Sequence, residues 1–199
     1  LANQRATPED RRRAALVLGR LRADWAIPSL GAAISDSDAA VRQQAAWALG
    51  YIPSRSAVNV LPRALKSPHQ GIREAAANSL VQQAQSPELT EAAVAALISA
   101  MDIGRDDEPD VARVADAALV HIGRVSTPQL IRELDDPRTS AEQRNRVART
   151  LGTLGDSRAL PVLIDAILAG DPAQTQGHVE AVACIGAGAI PALIEGLQG

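Results

Sequence analysis

Residues 41–65, VRQQAAWALGYIPSRSAVNVLPRAL, contain two short apolar patterns separated by the turn Pro53-Ser54. Within each pattern the apolar residues recur every three or four positions, which is the spacing of one helix face. The first pattern also recurs along the chain, at a shift of 31 residues, as an Arg, two Ala and a Leu. Its regular copies are Arg11, Ala14, Ala15 and Leu18; Arg42, Ala45, Ala46 and Leu49; and Arg73, Ala76, Ala77 and Leu80. A fixed period of this length predicts stacked helix pairs.

Later parts of the chain repeat the first pattern less regularly. Shifts of 70 and 102 residues bring the following residues into register: Val111, Ala115, Leu119 and Ile122, then Arg144, Ala148, Leu151 and Leu154. The second pattern recurs at residues 26–30, 57–61, 159–163 and 189–193. We therefore predict an all-α solenoid of about six helix pairs, roughly twelve helices, in one array over residues 1–199. Its units are expected at about 8–38, 39–70, 71–109, 110–140, 141–174 and 175–199.

Each unit contains two kinds of helix, which we name by their sequence patterns. The second-type helix carries the Arg-Ala-Leu pattern, and the first-type helix carries the pattern A.P.L. Turn and cap residues place helices at, for example, 87–101, 111–122 and 141–154. Glycines stand at or near the predicted helix ends, where a left-handed conformation is useful. They are Gly19, Gly50, Gly123, Gly155 and Gly186.

The repeated unit, (V)R..A..ALG.I followed by a short turn and A.P.L...L, resembles a HEAT repeat. It is most similar to the short bacterial HEAT-like type that is named after phycobilin lyases. The resemblance covers about residues 8–199 and implies an armadillo-like superhelix. It does not select one function, because this architecture hosts scaffolds, lyases, hydroxylases and DNA glycosylases alike.

Composition excludes some classes of function. The formal net charge is −3, so no global positive field favours a polyanion. Aromatic residues make up 2% of the chain and Phe is absent, so Ala and Leu must fill the interior. No apolar run reaches the roughly 18 residues that span a bilayer. We predict a cytoplasmic chain, and its start at Leu1 suggests a piece of a longer protein.

Motifs that carry chemistry have the wrong context in this sequence. Gly155-Asp156-Ser157 resembles a serine-hydrolase start and Gly186-Ala187-Gly188 a nucleotide loop, but no strand precedes either. His69, His121 and His178 occupy unrelated repeat positions, and the acidic stretch at 102–110 lacks the spacing of an EF-hand loop. We therefore predict no catalytic residue, no metal and no cofactor, and a chain that is not an enzyme.

Four arginines, Arg11, Arg42, Arg73 and Arg144, share one repeat position. They could form a basic ladder for phosphate or carboxylate groups. The favoured interpretation is that each one pairs with a turn acid, because acids such as Asp36, Asp38 and Asp136 stand beside this row.

The binding surface is predicted on the second-type helices, away from the stripe of positions 41, 45, 49 and 52. Trp47 and Tyr51 lie one turn apart off that stripe, where the copies vary freely, so they form a candidate anchor on a concave face. The alternative is that Trp47 folds down over neighbouring alanines, and Trp25 is expected to pack at a helix start. The predicted protein-binding residues are Arg12, Arg13, Arg20, Gln43, Gln44, Trp47, Tyr51, Glu74, Asn78, Gln82, Arg113, His121 and Arg149.

The function favoured by these residues is a non-catalytic interaction or scaffold module that binds a peptide or protein segment. One alternative, implied by the resemblance, is a bilin lyase or chromophore-handling protein, for which only Trp25, Trp47 and Tyr51 could line an aromatic site. A nucleic-acid-binding protein is the other alternative. It would use Arg12, Arg13, Arg20, Arg113, Arg146 and Arg149, and the acidic balance argues against it. Apolar residues at 190, 193, 194 and 197 also suggest end-to-end self-association.

Overall fold

The computed structural model describes residues 6–101, 110–169, 172–191 and 193–194, and over these ranges every regular element is helical. The α-helices are α1 (Pro8–Arg20), α2 (Ile27–Ala33), α3 (Ala39–Gly50), α4 (Arg55–Leu65), α5 (Gln70–Ala84), α6 (Pro87–Met101), α7 (Val111–Ile122), α8 (Thr127–Asp135), α9 (Ala141–Leu154), α10 (Leu160–Leu168) and α11 (Pro172–Ile185). Short 3₁₀ turns span Asp24–Ala26, Gly123–Val125, Ser157–Ala159 and Gly186–Ala189. The all-α prediction is confirmed, with odd-numbered helices of the second type and even-numbered helices of the first.

The chain divides into two compact units, Leu1–Ala118 and Leu119–Gly199, and the boundary falls within α7. In the first unit, α1, α3 and α5 pack side by side, and α2, α4 and α6 cover them. In the second unit, α9 and α11 pack side by side, next to α8 and α10. The arrangement of all repeats in one array stays a prediction. No helix in the described ranges is long and apolar enough to cross a bilayer.

Helix starts follow from local hydrogen bonding. The Thr7 hydroxyl accepts from the backbone N–H of Asp10, whose carboxylate accepts in return from the N–H of Thr7. Asp38 caps α3 and Ser140 caps α9 in the same way, through a side-chain oxygen. These side chains satisfy N–H groups that have no partner inside the helix. The cap residues therefore set where each of these second-type helices begins.

The core consists of aliphatic side chains. Val41, Ala45, Leu49 and Ile52 are all fully buried, which confirms the predicted stripe. The matching first-type positions, Leu30, Leu61 and Leu163, are fully buried as well. No aromatic residue of the described ranges is fully buried, as the composition predicts.

Small residues let the second-type helices approach closely. A Cβ added to Gly19 would lie 2.7 Å from the Cα of Ala48, and one on Gly50 would lie 2.6 Å from the Oγ of Ser79. Such distances are too short for any side chain, so glycine is required there by packing. The prediction of a left-handed conformation is therefore wrong for these two glycines. It is confirmed at Gly123, Gly155 and Gly186, where φ is 81°, 59° and 83°.

The contact between α9 and α11 provides a test of this packing. A Cβ on Gly152 would lie 2.7 Å from the Cα of Ala181, a backbone atom that cannot move alone. We expect Gly152→Ala to lower the free energy of unfolding by about 1–2 kcal/mol, because overpacking outweighs the better helix propensity of Ala. Urea denaturation would measure the change.

The same two helices contain the matched control. A Cβ on Gly177 would lie 2.7 Å from Oδ1 of Asn145, the end of a side chain that can rotate. Gly177→Ala should therefore be neutral or up to about 1 kcal/mol stabilising. Equal destabilisation by both substitutions would contradict a specific steric role for Gly152.

Candidate functional site

The predicted binding residues of the first unit lie on three adjacent helices. We call this surface the α1–α3–α5 face, and its exposed members are Arg13, Arg20, Gln43, Tyr51, Glu74 and Asn78. Arg12, Gln44, Trp47 and Gln82 lie on the same helices and are half-buried. The three helices pack side by side, so these residues lie on neighbouring helices of the first unit. Of the remaining predicted residues, Arg113 is exposed in the first unit, and His121 and Arg149 are exposed in the second.

The aromatic residues differ from one another in their surroundings. Trp47 is half-buried, so one part of the indole packs and another part reaches solvent. Tyr51, one turn further along, is 43% exposed. Trp25 is 79% exposed, so the prediction that it packs at a helix start is wrong. The 3₁₀ turn at Asp24–Ala26 directs Ala26 into the core and leaves Trp25 in solvent.

Several of the arginines that were predicted to bind a ligand already have acidic partners. Arg12 and Arg13 both pair with Glu9, at 2.8 and 2.9 Å, and Arg113 pairs with Asp110. In the second unit Arg146 pairs with Glu142. These exposed pairs add little stability. They do reduce the positive charge that a polyanion would meet.

The four arginines that share one repeat position form the arginine row, which has a structural role. Most of their hydrogen-bond partners are not the predicted ones. Arg11 does form an ion pair with a turn acid, since its Nε and Nη2 donate to the two carboxylate oxygens of Asp36, each at 2.8 Å. Arg42 instead donates to the backbone carbonyl oxygens of Asp36 and Ser37, at 2.7 and 3.0 Å. Pairing with acids is therefore wrong for Arg42.

The two remaining arginines of the row behave like Arg42. Arg73 donates to the carbonyl oxygen of Ser67 at 2.9 Å, and Arg144 donates to that of Asp136 at 2.8 Å. The turn before each helix has carbonyl groups without helical partners, and the long guanidinium reaches back to satisfy them. The prediction of acid pairing is wrong for these two residues as well. The arginines of this row form hydrogen bonds between helices and turns, and they do not form a basic ladder.

The Arg11–Asp36 pair should make stability depend on pH. The hydrogen bond from Arg11 lowers the pKa of Asp36 from an ordinary value of 3.8 to about 2. A carboxylate with a lowered pKa stabilises the folded state above pH 3.8, and this contribution is lost as the pH falls towards 2. We expect Asp36→Asn to cost about 1 kcal/mol at pH 7, because the pair is only partly buried. In urea titrations the difference from the unsubstituted protein should shrink as the pH falls from 3.8 through 2; a constant difference would contradict the linkage.

A buried glutamine was missed by the sequence reasoning. Gln83, at the end of α5, is 1% exposed, and its Nε2 donates to the carbonyl oxygens of Leu49 and Ile52 at 2.8 and 2.7 Å. Its Oε1 accepts from the backbone N–H of Ser54 at 3.2 Å. One side chain thus bridges the end of α3 and the start of α4. The available signal was a polar residue at the repeat position that Ile52 occupies 31 residues earlier.

The motifs that resemble catalytic sequences serve as turns. Gly155 ends α9 with φ of 59°, and the Asp156 carboxylate accepts from the backbone and side chain of Arg158. The hydrogen bond from Arg158 lowers the pKa of Asp156 well below its ordinary range. Ser157 is exposed within the 3₁₀ turn that follows. The interpretation of this segment as an inter-helix turn is confirmed.

The remaining candidates for a metal or calcium site are the histidines and the acidic stretch at 102–110. Within the ranges given above, no group of three His, Cys, Asp or Glu side chains could hold a metal ion. Residues 102–109 of the acidic stretch lie outside the described residues. Asp110 is exposed and pairs with Arg113. The side chains at 187 and 188 of the glycine-rich segment are also outside the described set.

The second unit has an apolar groove of about 470 Å³ between α10, α11 and residues 189, 190 and 193. Three of the large side chains that line it are exposed, Val179, Ile190 and Leu193, at 48%, 53% and 38%. Of the apolar residues named for self-association, Ile190, Leu193 and Ile194 are exposed, and Leu197 lies outside the described residues. Self-association through them stays a prediction.

Comparison with known proteins identifies a curated relative. The chain is 41% identical over 73 residues to phycocyanobilin lyase subunit beta from Nostoc sp., and this match covers 37% of the chain and 36% of the relative. The chain thus spans about a third of the length of that relative. The prediction of a chain that is not an enzyme is contradicted by this finding, because the relative is a subunit of a lyase.

Solved structures of helical proteins are also similar to this chain. The complex of CpcE and CpcF of phycocyanin lyase from Nostoc sp. is 22% identical, with 96% of this chain and 89% of that chain covered and a TM-score of 0.40. An engineered protein is 19% identical, with 93% and 94% covered and a TM-score of 0.46.

Family models agree with the repeat pattern. The model of the PBS lyase HEAT-like repeat matches residues 143–168. The model of HEAT repeats matches residues 1–81 and 27–119, which together make up more than half of the chain. The chain therefore belongs to the HEAT repeat family.

Proposed function

We propose that this chain is the HEAT-like part of a bilin lyase and that the α1–α3–α5 face binds the bilin. The observation that carries the proposal is the 41% identity to a phycocyanobilin lyase subunit over 73 residues. Because that match covers only part of each protein, the chain is proposed to handle the chromophore as one part of a larger lyase.

The geometry of the α1–α3–α5 face suits a molecule of this kind. A bilin is a long conjugated tetrapyrrole with two propionate groups, so it needs an aromatic surface for stacking and cations for its carboxylates. Trp47 on α3 and Tyr51, which directly follows that helix, supply two aromatic side chains four residues apart, and both reach solvent. Arg20 is exposed on the adjacent helix α1, and a guanidinium can pair with a carboxylate through two hydrogen bonds.

Titration of the purified chain with phycocyanobilin tests this proposal. We expect a saturable change in the bilin absorbance spectrum and quenching of tryptophan fluorescence with the same dissociation constant. The dimethyl ester of the bilin is the matched control ligand, because it keeps the conjugated system and lacks the carboxylate charges. It should bind several-fold more weakly. A spectrum that does not change at any protein concentration would refute the proposal.

A protein segment is a second candidate ligand for the same face. The relative is named as a subunit, which indicates that it works with another chain. Gln43 and Asn78 are exposed amides on adjacent helices, and amide groups can pair with an extended backbone. This candidate is tested by adding a bilin-free acceptor protein to the bilin complex. Displacement of the bilin would place both ligands on one face, and simultaneous binding would place the protein elsewhere.

A further inference from the structure

A cavity of about 350 Å³ lies in the first unit, between the turn before α3 and the turn before α5. Its lining includes four side chains that carry or can carry positive charge, Arg42, Arg63, Lys66 and His69. Lys66 is the only lysine in the chain. Asp36 is the one acidic residue among the lining residues. The cavity is therefore a local concentration of positive charge in a chain whose net charge is negative.

The charge of Asp36 is already compensated from outside the cavity. Both of its carboxylate oxygens accept from Arg11, which is not a lining residue. Arg63 and Lys66 are exposed, and neither forms an ion pair with any residue that the structure describes. An anion that entered the cavity would meet these cations without displacing a carboxylate from them.

A helix start next to the cavity adds a second, independent feature. Thr7, Asp38 and Ser140 occupy equivalent repeat positions, and each caps its helix through a side-chain oxygen. His69 occupies this position before α5 and makes no side-chain cap. The first N–H groups of this 15-residue helix thus lack the side-chain acceptor that α1, α3 and α9 have. The positive end of a helix dipole favours an anion.

Two of the four cations, Arg63 and Lys66, vary between repeats, whereas Arg42 belongs to the repeated arginine row. The position of Arg63 is Ala32 in the preceding unit, Arg132 in α8 and Asp165 in a later unit, and the position of Lys66 is Ser35 in the preceding unit. Arg63 at the end of α4, Lys66 in the turn and the uncapped start of α5 therefore occur together at one helix junction. A structural role shared by all repeats does not explain this combination.

We propose that this cavity binds an oxyanion, held by Arg63 and Lys66 and by the backbone N–H groups at the start of α5. The shared chemistry is a compact group with several negatively charged oxygens, either a phosphate or a pair of carboxylates. The site lies on the turns and does not depend on bilin binding.

Nuclear magnetic resonance titration at constant ionic strength tests the proposal, with chloride as the reference anion. Inorganic phosphate should cause saturable shifts of the amide signals of Gln70 and Gly71. Lys66→Ala and Arg63→Ala should each weaken binding at least about fivefold. Arg55→Ala is the matched control, since Arg55 is exposed on the same helix as Arg63 and does not line the cavity. Tighter binding of succinate than of phosphate would identify the ligand as a dicarboxylate, and the reverse would identify a phosphate.

The His69→Asp variant distinguishes loss of the anion site from unfolding of the protein. It restores the acidic cap that Asp38 provides in the preceding unit, so the melting temperature should rise. The new carboxylate also occupies the N–H groups and repels the anion, so phosphate binding should be lost. Binding that persists in this variant and in Lys66→Ala, or amide signals that never saturate, would overturn the proposal.

Discussion

Gln83→Met should lower the free energy of unfolding by about 3 kcal/mol, the largest stability effect that we expect of a single substitution. Methionine has nearly the same length and volume as glutamine, but its thioether cannot donate a hydrogen bond. The carbonyl oxygen of Ile52 loses its donor, and the N–H of Ser54 loses its acceptor. Each buried polar group left without a partner costs about 1–3 kcal/mol. Denaturation in urea would measure the loss as a lower midpoint with an unchanged slope.

A nearby glutamine supplies the matched control for this prediction. Gln85 is exposed at the end of α5, only two residues from Gln83. Gln85→Met should change stability by less than about 0.5 kcal/mol, as surface substitutions usually do. If Gln83→Met were equally mild, water would be replacing the amide, and the bridge between α3 and α4 would not be a determinant of the fold.

Three helices were predicted at their observed positions from local signals at their ends. The predicted helices at 87–101, 111–122 and 141–154 match α6, α7 and α9 without any shift. Proline, turn residues and cap side chains act within a few residues of the helix that they begin, so the sequence alone contains this information. The buried stripe of α3 was predictable for a related reason, because its spacing is that of one helix face.

Interactions between repeats were harder to predict. Gly19 looks like a helix-end glycine in its own repeat, and only the approach of Ala48 shows that packing requires it. In the sequence, Gln83 resembles a surface residue. In the structure, its side-chain amide donates to carbonyl groups of the preceding repeat. Both roles depend on residues about 30 positions away in the sequence. The repeat period predicts which helices pack together, but it does not predict which atoms are in contact.

The candidate site was predictable as a surface but not in its electrostatics. The off-stripe positions Trp47 and Tyr51 do reach solvent, as the variation between copies indicates. The predicted cations Arg12 and Arg13 turn out to share Glu9, an acid on their own helix. Pairing of this kind depends on side-chain rotamers, which the repeat pattern does not specify. Arg20 therefore becomes the cation of this face on which the bilin proposal relies.

Trp47→Ala should weaken phycocyanobilin binding by about thirtyfold, the largest functional effect that we expect. Removal of a central aromatic anchor typically costs ~2 kcal/mol of binding free energy. The indole is half-buried, so it combines a fixed orientation with a surface that a ligand can stack on. Titration of the bilin absorbance would measure the change, and circular dichroism would show that the variant keeps its helices.

The other tryptophan makes this experiment specific. Trp25 is 79% exposed on a turn after α1, so Trp25→Ala removes the same side chain from a place outside the α1–α3–α5 face. Binding should be unchanged in this variant and reduced in Tyr51→Ala, because Tyr51 follows Trp47 by one turn. If Trp47→Ala unfolded the protein while Tyr51→Ala bound bilin normally, Trp47 would be a packing residue. The bilin would then have to bind elsewhere, and the apolar groove beside α11, whose described lining residues are all apolar, would be the surface to test next.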